Sequence, residues 1–181
     1  YGVITGTGNY AGGVFGQCAG SFGLSAGTAS VNVVNNGAVT GAGFVGGVFG
    51  SVGDTGTTAD VISINGKIEN NGAVTGTTEN TGGVIGYFGG TFNGAAAAKF
   101  NGAVRNTGQV TGHINVGGLV GQTKGNFASS ATVYFGPDAK FINEVTGFVP
   151  AIDAGNAGVS GASNVGGIVG KCGLQLVAGG A

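Results

Sequence analysis

A double glycine, two large apolar residues and a closing glycine recur five times, and this repetition constrains the chain more than any other feature. The copies are Gly12-Gly13-Val14-Phe15-Gly16, Gly46-Gly47-Val48-Phe49-Gly50, Gly82-Gly83-Val84-Ile85-Gly86, Gly117-Gly118-Leu119-Val120-Gly121 and Gly166-Gly167-Ile168-Val169-Gly170. Their first glycines stand 34, 36, 35 and 49 residues apart. A period in this range marks solenoids, propellers or repeat arrays, in which each unit buries its apolar side only against its neighbours.

A second block precedes each double glycine, with columns of β-branched residue, hydroxyl and glycine. It reads Ile4-Thr5-Gly6, Val39-Thr40-Gly41, Val74-Thr75-Gly76, Val110-Thr111-Gly112 and Val159-Ser160-Gly161. Just before it runs an asparagine column, Asn35, Asn70, Asn106 and Asn156, with Val33, Ile68 and Val104 two residues earlier in the first three copies. A degenerate extra copy is visible at Phe141, Asn143 and Val145-Thr146-Gly147.

These segments are too short, and too rich in glycine and β-branched residues, for helices. Val31/Val33 and Ile62/Ile64 show the period-two alternation of strands. Each repeat therefore reads as about three short strands with glycine corners. Recurrence of one residue type at one place in every repeat is what stacked coils require, because Val then lies on Val and Asn on Asn at about 4.8 Å per layer.

The predicted fold is all-β: a β-solenoid, like a parallel β-helix, of about five repeats of roughly 35 residues in one domain, 1–181. Propeller blades are longer and carry four longer strands with aromatic signatures, which this chain lacks. Asn35, Asn70, Asn106 and Asn156 are expected to form an amide ladder, and Thr40, Thr75 and Thr111, with Thr5 and Ser160, an internal hydroxyl ladder. Both prolines, Pro137 and Pro150, fall in the long fourth interval. A lateral excursion is expected at about 123–155.

The consensus N-x-G-x-V-T-G followed by V-G-G and two apolar residues, visible from Asn70 to Gly86 and from Asn106 to Gly121, resembles the GLUG-motif repeats of large secreted and surface-anchored microbial proteins. The resemblance covers most of the chain and implies an extracellular or cell-surface setting. Some such repeats flank the protease region of immunoglobulin-A-cleaving metallopeptidases. The zinc-binding H-E-x-x-H of those enzymes is missing, His113 being the one histidine, so only the repeat scaffold carries over. In composition and repeat style the chain also resembles the amyloid-like sheath proteins of filamentous methanogenic archaea.

Charged residues make up only 7% of the chain, and glycine supplies 44 of 181 positions. A free monomer with so few charges is poorly protected against association. The six basic residues are scattered singly and the formal charge is -1, so no basic stripe exists for nucleic acid. No apolar run reaches the ~18 residues of a membrane helix. Tyr1 in place of an initiator Met fits a processed secreted protein and a fragment of a longer chain equally.

No catalytic set emerges. Asp54, Asp60, Glu69, Glu79, Asp138, Glu144 and Asp153 share no column and are expected in corners and loops. His113 is expected in an exposed loop. The glycine blocks are followed by strands where a phosphate loop needs a helix, and no Asp column exists for calcium, so no cofactor or metal is expected.

Cys18 and Cys172 each stand two residues after a closing glycine, in the first and last copies. Val52, Phe88 and Thr123 hold the position between them. Four layers separate the two sulfurs by roughly 19 Å, too far for an intramolecular disulfide. Two readings stay open: a crosslink between molecules stacked head to tail, or two small buried apolar residues in one column.

The pattern runs from Val3 to about Cys172, leaving little but the 174–181 tail as a cap. The expected function is that of a non-enzymatic subunit of an extracellular sheath, fibre or surface layer, its partner another copy of itself, with contact to a surface glycan or wall. The alternatives are a stalk or passenger segment of a large adhesin and, less favoured, a polysaccharide-active enzyme.

Overall fold

The computed structural model describes residues 2–18, 22–23, 32–53, 62–92, 99–101, 103–127, 134–135, 140–143 and 158–172. Every strand pairing among them is parallel, and each strand pairs with its counterpart one repeat away. The chain is a β-solenoid, one coil per repeat, as its periodicity predicts.

Each full coil contributes five short strands to five sheets, where the sequence suggests three. Sheet I stacks Ile4–Thr5, Val39–Gly41, Val74–Gly76, Val110–Thr111 and Val159–Ser160. Sheet II stacks Ala11–Gly12, Val45–Gly46, Glu79–Gly82, Ile114–Gly117 and Ser163–Gly166. Sheet III stacks Phe15–Cys18, Phe49–Val52, Ile85–Phe92, Val120–Phe127 and Val169–Cys172. Sheet IV holds Phe22–Gly23, Ile62–Asn65, Lys99–Asn101 and Tyr134–Phe135. Sheet V holds Val33–Asn35, Ile68–Asn70, Ala103–Asn106 and Lys140–Asn143. Most of the extra strands escape sequence reading because they are only two to four residues long and their columns mix residue types, as in Gly23, Ser63, Lys99 and Tyr134.

The register corrects the first part of the expected excursion at about 123–155, whose remainder, 144–155, lies outside the described residues. Val120–Phe127, Tyr134–Phe135 and Lys140–Asn143 continue sheets III, IV and V on the coil below, with Asn143 opposite Asn106. The additional residues of the long interval therefore fall between Asn143 and Val159. The step from Asn106 to Val110 takes four positions, whereas that from Asn143 to Val159 takes sixteen.

The core has two compartments. Ile4, Ala11, Val39, Val45 and Val74 fill one between sheets I and II. Phe49, Val52, Ile68, Phe88, Val104 and Leu119 belong to the other, which sheets III and V enclose. The double glycine lets the two walls of the coil meet between them. A Cβ on Gly47 would overlap both the Asn70 amide and the carbonyl of Gly83 on the next coil; Gly13 and Gly83 are confined in the same way by Asn35 and Asn106. The two signature blocks of the sequence thus touch across the interior, and only glycine permits the approach.

Candidate functional site

The asparagine column forms the dividing wall as a hydrogen-bonded ladder. Asn35 Nδ2 donates to Asn70 Oδ1 and Asn70 Nδ2 to Asn106 Oδ1, each at 2.8 Å. Each Nδ2 also donates at 2.7 Å to the glycine carbonyl two residues on, and that glycine's N–H returns a bond to Oδ1. Asn70 is wholly buried and fills both donor and both acceptor positions of its amide. Such closure lets a polar group sit inside an apolar coil without an orphaned atom. Asn156, expected as the fourth rung, lies outside the described residues; the register puts Asn143 at that rung.

A second ladder escaped sequence reading. Asn164 Nδ2 donates to Asn115 Oδ1, and Asn115 Nδ2 to Asn80 Oδ1, both at 2.7 Å. Its bonds point toward the N-terminal coils, opposite to the first ladder. All three asparagines have positive φ, 56° at Asn80 and Asn115 and 51° at Asn164, in the left-handed region that asparagine tolerates better than most residues. Tyr10 (65°) and Phe44 (50°) hold this corner position in the first two coils, and their rings stack with centroids 5.1 Å apart. An x-Asn-x-Gly-Gly pattern in three copies signals the ladder, but the two aromatic members conceal it.

The threonine column is in register as expected: Thr5, Thr40, Thr75, Thr111 and Ser160 pair successively. Its orientation is corrected. The neighbouring valines Val39, Val74 and Val110 take the interior, so strand alternation turns the hydroxyls outward, where Thr5 and Thr111 are exposed. Ser160 Oγ donates to Thr111 Oγ1 at a long 3.5 Å.

Charge is sparse and largely self-contained. Glu69 was expected on a solvated corner, yet it lies within a strand, its side chain 7% exposed, paired with Lys67 and with Arg105 of the next coil. The Lys67 hydrogen bond, with the Lys67 and Arg105 charges, holds its carboxyl below the usual glutamate range against the opposing effect of burial. Glu79 and His113 are exposed. Asp54, Asp60, Asp138, Glu144 and Asp153 lie outside the described residues. Among the described residues no group of three His, Cys, Asp or Glu could hold a metal, and no helix is long and apolar enough to cross a membrane.

The two end coils differ from the middle in what covers them. Along the column Val14, Val48, Val84, Leu119 and Ile168, exposure runs 45%, 0%, 0%, 0% and 39%. Val165, next to Ile168 on the fifth coil, is 45% exposed, whereas Val45 and Val116 in its own column are wholly buried. The described residues of the first coil carry no charge, and those of the fifth only Lys171. Cys18 and Cys172 occupy one column of sheet III, with Val52, Phe88 and Thr123 between them. Cys18 is buried and Cys172 exposed. No protein-family model matches this sequence, and no curated protein or solved structure matches it either.

Proposed function

We propose that the chain is a structural, non-enzymatic subunit that polymerises by stacking the fifth coil of one molecule on the first coil of the next, forming an extracellular sheath, fibre or surface layer. Gly167 is the observation that carries this reading. In its column, the Cβ that Gly13, Gly47 and Gly83 lack would strike the next coil, each time at the next glycine's carbonyl, as well as the asparagine amide of its own coil. A Cβ on Gly167 meets nothing within 4 Å. Among the described residues nothing gives Gly167 a steric reason to be glycine; a further coil would supply one.

The opposed surfaces are alike along sheets I to III. Ser160 would lie on Thr5, Val165 on Ala11, Ile168 on Val14 and Val169 on Phe15, continuing the columns already present inside the molecule. Among the described residues neither edge opposes like charges, and both end coils expose apolar side chains, Val14 on the first and Val165 and Ile168 on the fifth. The GLUG-like repeats and the low charge support a surface location. The outward hydroxyl rank on sheet I is the surface available to a glycan or wall. A coil embedded in a longer surface protein would cover Gly167 equally, which makes the adhesin stalk the second reading; the length of the native polypeptide separates the two.

The test compares the purified chain with Gly167→Ala by electron microscopy and sedimentation. The wild type is expected to form ordered assemblies with an axial repeat of about 4.8 Å. Gly167→Ala is expected to keep the monomer's circular dichroism and thermal midpoint and to lose assembly. Dispersed wild-type monomers at every concentration, or unimpaired assembly of the variant, overturn the reading.

A further inference from the structure

We infer that stacked copies are joined by a disulfide between Cys172 of one molecule and Cys18 of the next, an inference that rests on the end-to-end stacking proposed above. The two cysteines share one inward column of sheet III, in which Cys18, Val52 and Phe88 belong to the same core cluster. Within a molecule four layers separate them, roughly 19 Å at 4.8 Å per layer. Across the proposed contact the separation becomes one layer, about 4.8 Å, inside the 4.4 to 6.8 Å range of Cα separations that a disulfide spans. Continuing the solenoid thus brings together two thiols that the isolated chain keeps apart.

The chemistry divides by accessibility. Cys172 is exposed on the fifth coil, so it meets a small-molecule disulfide first. Its thiolate attacks one sulfur, releases one small thiol and becomes a mixed disulfide. Docking then brings up Cys18, whose thiolate attacks the Cys172 sulfur. The bond between Cys172 and the small thiol breaks, the bond between Cys18 and Cys172 forms, and the second small thiol leaves with the proton that Cys18 gave up. The small disulfide is the oxidant, reduced to two thiols. Burial pushes the Cys18 thiol up from its ordinary value, which protects it in the free molecule and makes the second step faster as pH rises.

Reduced protein is exposed to oxidised glutathione while dispersed and then assembled, its state recorded by electron microscopy. It is read on non-reducing gels and by mass spectrometry of linked peptides. The wild type is expected to give a ladder of dimers, trimers and higher multiples containing a peptide that joins Cys172 to Cys18. Cys18→Ser and Cys172→Ser should each run as monomers on the gel while still assembling. Assemblies in the microscope that run only as monomers on the gel, or that are linked only through Cys172 to Cys172, refute the crosslink. Absence of assemblies refutes the stacking itself, and the crosslink with it.

Discussion

Replacing Asn70 with alanine removes four hydrogen bonds at once from a site that water does not reach. Asn70 donates to the Gly72 carbonyl at 2.7 Å and to Asn106 at 2.8 Å, and accepts from Asn35 at 2.8 Å and from the Gly72 N–H at 3.3 Å. At about 1 kcal/mol net for each bond, the loss is about 4 kcal/mol, and the partners left buried and unpaired raise it further. Few single substitutions cost that much. Asn71, the next residue, supplies the control. It makes the same amide-to-amide contact between coils, to Asn36 at 2.9 Å, and also accepts from the Thr107 hydroxyl at 2.7 Å, but it is exposed. Water can replace both partners, so Asn71→Ala is expected to cost under about 1 kcal/mol. The chain has no tryptophan, so urea unfolding is followed by circular dichroism with the four tyrosines as a second probe. Coincident curves justify a two-state treatment, which stacked repeats do not guarantee. If the two alanine variants differ by less than about 1 kcal/mol, burial of the ladder is not what gives it weight, and the reasoning fails.

Thr81 is wholly buried in a column between Val45 and Val116, and its hydroxyl has no hydrogen-bond partner. Thr81→Val exchanges that hydroxyl for a methyl group of similar size and is expected to stabilise the fold by about 1 to 3 kcal/mol, the cost of a buried orphan; a lowered urea midpoint contradicts this. Glu69 links stability to acid. Its carboxyl is depressed in the folded chain, so its contribution is fully present above the unfolded value of about 4.3 and is lost as pH falls through the folded value. The difference in stability between wild type and Glu69→Gln should therefore shrink on acidification from pH 6 toward pH 3; a difference that stays constant across that range assigns the acid sensitivity elsewhere.

The contacts that run along the solenoid axis were legible in the sequence. Ile4, Val39, Val74, Val110 and Val159 pair successively, as do Asn35, Asn70 and Asn106, because in-register parallel strands place like on like at a fixed sequence interval. Periodicity therefore determined the fold class, the coil length and the shared column of Cys18 and Cys172. Contacts within the plane of a coil were decided only by tertiary structure. That Thr40 faces out, that Gly47 meets Asn70 and so divides the core, that Asn80 and Asn115 sit at a left-handed corner and that Glu69 is covered by Arg105 all depend on how sharply each short strand bends into the next. Those bends repeat from coil to coil, so they leave columns in the sequence, but a column says only that its members share a place. The side of the wall they occupy, and what they face across it, is set when five short strands close around one interior.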